Sequence, residues 1–144
     1  MLADLAQGDL ASLLAFLSGQ GTRGTSLAAQ LDARHDTERQ DTLLTWAARH
    51  GQAEAVRLLL EGGASVGAAD GDDASALLLA CEKECGECVQ LLLHANAAVN
   101  QAADGGVTPL FIACERGQLE WARILLEAGA AIDQARNNGA TPLF

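Results

Sequence analysis

The chain repeats itself every 33 residues, and no other feature limits so strongly what it can fold into. Residues 108–130 read T-P-L-F-I-A-C-E-R-G-Q-L-E-W-A-R-I-L-L-E-A-G-A. One step back, 75–97 read S-A-L-L-L-A-C-E-K-E-C-G-E-C-V-Q-L-L-L-H-A-N-A, and two steps back, 42–64 read T-L-L-T-W-A-A-R-H-G-Q-A-E-A-V-R-L-L-L-E-G-G-A. Neither step needs a gap, and a fourth start, T-P-L-F, follows at Thr141. Each period is expected to form one supersecondary unit. Units of this size cannot bury both apolar faces alone, so they stack into a continuous core.

Within a period the signals are helical. Thr42, Ser75, Thr108 and Thr141 suit a helix N-cap, and Pro109 and Pro142 follow where a missing N–H costs nothing. A short first helix is predicted over 42–49, 75–83 and 108–116. Its inner side carries Leu44, Ala47 and Ala48, then Leu77, Ala80 and Cys81, then Leu110, Ala113 and Cys114. Gly51 and Gly117 offer the positive φ that ends such a helix and lets the chain reverse. A second helix is predicted over 52–60, 87–94 and 119–127, with Val56, Leu59 and Leu60 and their equivalents at helical spacing. It is expected to end near Gly62, Asn96 or Gly129, Asn being the common substitute for Gly in a left-handed cap. The Gly- and Asp-rich stretch that follows fits a β-turn or hairpin.

Composition agrees with close-packed helices. Hydrophobic residues make up 49% of the 144, yet there are only three Phe, two Trp and no Tyr, too few large flat side chains for a β-sandwich. Nineteen acidic against nine basic residues give a net charge of −10, which argues against nucleic acid, since phosphate binding depends on Lys and Arg. No apolar run approaches the roughly 20 residues that span a bilayer. Asp4 and Asp9 stand where a secretory leader would carry basic residues, and four cysteines, three of them clustered, do not look like a disulfide framework, so an intracellular, reducing compartment is expected.

A 33-residue period with T-P-L-x-x-A, then Gly, then L-L-x-x-G-A resembles the ankyrin repeat. The likeness is close over 42–144 and loose over 2–19. It implies an all-α solenoid of stacked helix-turn-helix units joined by β-turn or hairpin loops. In this reading 1–20 form an N-terminal capping helix pair, 21–41 an insertion loop, 42–74, 75–107 and 108–140 three repeats, and 141–144 the truncated start of another. The capping pair rests on laying 8–19 over 51–62, an offset of 43 in which Leu13, Phe16 and Leu17 fall on Val56, Leu59 and Leu60. The absence of a closing cap suggests a longer array. Glu84 replaces the inter-helix Gly of the middle repeat, where a positive φ would cost about 1 kcal/mol, so that repeat is expected to be the least regular.

Chemistry-bearing constellations are few. Cys85-Gly86-Glu87-Cys88 is a C-x-x-C, with Cys81 and His94 nearby, but tetrahedral zinc normally needs a second pair, and Cys81 shares its register with Ala48 and Cys114. The thiols are read as buried or half-buried, with no metal and no cofactor. No nucleophile stands beside a base and no glycine-rich loop opens onto a phosphate-binding helix, so catalysis is not expected. The resemblance implies a protein-binding module whose concave face joins hairpin tips to first helices. Mapped onto this chain, that face comprises Trp46, Arg49, Asp72, Leu78, Glu82, Lys83, Asp104, Val107, Phe111, Glu115, Arg116 and Asn137. Asp70, Asp72, Asp73 and Asp104 would make the tips acidic and favour a basic peptide or surface, bound by a monomer. The alternative is a non-catalytic targeting segment of a larger enzyme or signalling protein. Asn100 is expected to brace its own turn, although the resemblance also permits β-hydroxylation there.

Overall fold

The structure, a computed structural model, describes residues 39–142; the expected capping pair, nearly all of the insertion loop, and Leu143 and Phe144 lie outside the described residues. Among the described residues, six α-helices follow one another in three pairs: α1 (Leu43–Arg49) with α2 (Ala53–Glu61), α3 (Ala76–Lys83) with α4 (Gly86–His94), and α5 (Pro109–Glu115) with α6 (Leu119–Glu127). The sheet component is an isolated antiparallel bridge between Ala69 and Ser75.

The first helices start where the sequence places their caps. Thr42 and Thr45 form a reciprocal capping box, the Thr45 N–H donating to Thr42 Oγ1 at 3.2 Å and the Thr42 N–H to Thr45 Oγ1 at 2.8 Å. Ser75 Oγ accepts from the Leu78 N–H at 3.3 Å, and Thr108 Oγ1 from the Phe111 N–H at 3.2 Å. Each cap contributes about 1 kcal/mol. Helix bounds differ from the sequence expectation by a residue or so, the cap residues themselves lying outside the helices.

Both helix ends inside a repeat require a left-handed residue. Between paired helices these are Gly51 (φ 67°), Glu84 (φ 63°) and Gly117 (φ 68°). After them the next N–H reaches back to Ala47, Ala80 and Ala113 at 2.9, 3.1 and 2.8 Å. Glu84 therefore takes the strained conformation its register demands, but both helices of the middle repeat form, at lengths within a residue of their neighbours'. Strain of about 1 kcal/mol on one exposed residue is small beside the burial of Leu77, Leu79 and Leu92, each worth about 2 kcal/mol. After the second helices the left-handed residues are Gly63, Asn96 and Gly129. The position is thus Gly63, not Gly62, whose φ is −75° and which ends α2 as an ordinary right-handed residue.

The core is a stack of matching columns. Leu44, Leu77 and Leu110, then Ala47, Ala80 and Ala113, then Leu59, Leu92 and Leu125 are all buried. The alanines let paired helices approach closely, and the leucines fill the space between layers. Hairpins project from one side of this stack, each closed by a short loop bond: Asp70 N–H to Ala74 O, Ala103 N–H to Val107 O and Arg136 N–H to Ala140 O. Their tips are joined in series. Gly71 donates to Arg39 O at 2.8 Å, Asp104 to Asp72 O at 3.0 Å and Asn137 to Gly105 O at 2.9 Å. Each step crosses one repeat boundary, so the tips form a continuous edge at fixed spacing.

Candidate protein-binding groove

A groove enclosing about 290 Å³ runs between the hairpins and the first helices, lined by residues of all three repeats. Its apolar floor comes from Leu78 and Leu79 on α3, Ile112 on α5, and Ala103 and Val107 in the second hairpin. Carboxylates stand along it: Asp72 and Asp104 from the tips, Glu82 from α3 and Glu115 from α5.

At one end the charges are already matched. Arg49 Nε donates to Asp41 Oδ2 at 3.3 Å and Nη2 to Asp41 Oδ1 at 3.2 Å, while Nη2 also bonds Asp70 Oδ2. Burial opposes the guanidinium charge, but hydrogen bonds and attraction from Asp41 and Asp70 outweigh it and hold the Arg49 pKa above its ordinary value. Asp70 Oδ1 accepts the N–H groups of Asp72 and Ala74, both at 2.9 Å. Asp70 is therefore not part of an acidic tip. It is buried, bracing its own hairpin and anchoring Arg49, because a carboxylate this enclosed must be paired and hydrogen-bonded.

The register shows how the pairing changes along the stack. Steps of 33 carry Arg49 to Glu82 and Glu115, and Asp70 to Ala103 and Arg136. The ion pair of the first layer thus becomes Glu82 with no counter-charge in the second. In the third the signs are exchanged, but the Arg136 guanidinium lies 4.9 Å from the Phe111 ring centroid and makes no ion pair with Glu115 within 4.0 Å. Among the described residues, Asp72, Glu82, Asp104 and Glu115 all lack a salt-bridge partner.

Seven of the twelve residues expected on this face come together: Arg49, Asp72, Leu78, Glu82, Asp104, Val107 and Glu115 line the groove. Leu78 does so as floor, with only 2% of its surface exposed. Trp46 (7% exposed) and Phe111 (8%) are corrected to core positions. The Trp46 indole stacks on His50 with centroids 4.1 Å apart, and Phe111 lies beneath Arg136. Lys83 and Arg116 sit at the far end of the first helices: the Lys83 stem passes over Gly51, and Arg116 faces Glu84 at 3.7 Å. Asn137 stays at the tip, held by its backbone bond to Gly105. Leu79, Ile112 and Arg136 line the groove without having been expected there, although a step of 33 from Asp70 through Ala103 leads to Arg136.

One further expectation changes. Asn100 does not brace its own turn. Its Oδ1 accepts the Ala131 N–H at 2.8 Å and its Nδ2 donates to Gly129 O at 3.3 Å, both across the repeat boundary. Cys81 is buried in α3, and burial, reinforced by the charge of Glu82, pushes its pKa up to about 12. Among the described residues no three His, Cys, Asp or Glu side chains converge as a metal site.

Helix pairs stacked at a 33-residue spacing, with joined hairpin tips flanking one groove, define a helical repeat protein. A family model described as ankyrin repeats (3 copies) matches residues 2–103, and another described as ankyrin repeats (many copies) matches residues 91–143. The chain belongs to the ankyrin-repeat family, whose members are generally protein–protein interaction modules and typically non-catalytic. No curated protein matches the chain significantly. No helix among the described residues is long and apolar enough to cross a membrane.

Proposed function

We propose that this chain binds a basic peptide or basic protein surface in the groove between the hairpin tips and the first helices. The supporting observation is the row formed by Asp72, Glu82, Asp104 and Glu115, four carboxylates above an apolar floor that make no salt bridge among the described residues. An extended segment can lay an apolar side chain on Val107 and Ile112 while Lys or Arg heads reach the carboxylates on either side. Complementary charge of this kind favours rapid encounter and partner choice more than raw affinity. The module acts by holding a partner, in an intracellular setting, as a scaffold or as the targeting part of a larger protein.

The test is binding of a Lys- and Arg-rich peptide and of an equally long Glu-rich peptide, measured by fluorescence anisotropy. The basic peptide is expected to bind, more weakly as salt rises, and to lose affinity and salt dependence in the Asp72→Asn/Glu82→Gln/Asp104→Asn/Glu115→Gln variant. Equal binding of both peptides, or an unaltered salt dependence in the variant, contradicts the reading.

A further inference from the structure

The middle repeat opens its second helix unlike its neighbours. Gln52 and Gln118 occupy the N-caps of α2 and α6 without a side-chain bond to the helix. Their equivalent at α4 is Cys85, whose Sγ accepts the Cys88 N–H at 3.4 Å. The N-cap and the third helical residue are three apart, a spacing at which side chains can be neighbours. The consequence is a pair of thiols whose Sγ atoms are 2.6 Å apart. Register gives no packing reason for this. Cys88 falls on Ala55 and Trp121, and Cys85 on the two glutamines, so neither position requires sulfur. Of the four cysteines, Cys81 and Cys114 have no such thiol contact.

We propose that Cys85 and Cys88 are a reversible dithiol that closes into a disulfide across the first turn of α4 by exchange with a low-molecular-weight disulfide such as oxidised glutathione. Cys85, the half-exposed member, is the entry point. Its thiolate attacks one sulfur of the small disulfide, forming a mixed disulfide and releasing one small thiolate, which takes up a proton. Cys88 then gives its proton to solvent or to a small thiolate and attacks Cys85 Sγ, expelling the second small thiol. Two protein thiols are oxidised and one small disulfide is reduced to two thiols. Cys88 is buried away from a disulfide in solution, so it reacts with the mixed disulfide beside it; the same burial raises its pKa and makes this second step the slower one.

The reaction is isolated in the Cys81→Ala/Cys114→Ala variant, which places at both positions the residue that the first repeat carries there, Ala48. After treatment with oxidised glutathione, the intact mass is expected to fall by two hydrogens. Both remaining thiols should stop reacting with iodoacetamide, and digestion should yield a Cys85–Cys88 linked peptide that dithiothreitol opens. Adding Cys85→Ser should leave Cys88 free to alkylate after denaturation. Glutathione retained on Cys85, or both thiols still alkylated after the same treatment, overturns the proposal. Peptide mapping of the unaltered chain gives the same decision if the variant does not fold: the 85–88 link must form while Cys81 and Cys114 stay alkylatable.

Discussion

The Trp121 indole occupies the space that a side chain on Gly86 would need: a Cβ there would stand 2.0 Å from two carbons of the ring. The large residue of α6 therefore depends on the missing side chain at the start of α4, across a repeat boundary. Gly86→Ala should destabilise the protein by about 1–3 kcal/mol, the usual cost of overpacking. Trp121→Ala, which restores the residue found at this register in Ala55, should absorb most of that cost in the double variant. Strict additivity in a denaturant-melt cycle would show that the two residues do not share this space.

Asn100 ties the second repeat to the third, and its equivalent one step back is Gly67, which has no side chain to tie the first repeat to the second. A Cβ at Gly67 meets nothing within 4 Å. Asn100→Ala should cost about 1 kcal/mol and Gly67→Asn should return a similar amount by bonding the 96–98 segment. Urea midpoints moving in opposite directions check this; a destabilised Gly67→Asn would contradict it.

Glu84 and Gly117 share a register and a left-handed backbone, so the same exchange made in opposite directions should have opposite signs. Gly117→Ala meets no atom within 4 Å and should lose about 1 kcal/mol from backbone strain alone. Glu84→Gly relieves that strain but frees the unfolded chain and removes the weak exposed pair with Arg116, leaving a gain of about 0.5 kcal/mol. Thermal melts of the two variants supply the comparison.

Cys81 gives the fold an alkaline weakness. Its pKa rises from 9.0 to about 12 on folding, so above pH 9 the unfolded chain loses the thiol proton while the folded chain keeps it. The unfolded state then binds fewer protons and stability falls as pH rises, by up to about 1.4 kcal/mol per pH unit, levelling off near pH 12. Below pH 9 this contribution is fully present. Cys81→Ala should flatten the slope of unfolding free energy over that window, and an unchanged slope would remove Cys81 as its source.

Much of this architecture is legible in the residues alone because each repeat announces itself locally. Thr42, Ser75 and Thr108 signal caps, and a step of 33 from Gly51 puts Glu84 at a position that needs a left-handed backbone. What is not legible depends on neighbours distant in sequence. Asp70 reads as one more tip carboxylate because Arg49, which neutralises it, lies 21 residues earlier. The resemblance puts Trp46 and Phe111 on the binding face, but first helices this short are buried around most of their circumference. The joined hairpin tips leave no mark in the sequence, since backbone groups make every bond.

Whether a partner is held in the acidic groove can be read from amide chemical shifts of the isotope-labelled chain during titration with a Lys- and Arg-rich peptide. Perturbations are expected to concentrate at Asp72, Glu82, Asp104, Val107 and Glu115, saturating together and reversed by salt. Shifts concentrated instead around Leu60, Leu91 and His94, on the second helices, would contradict it.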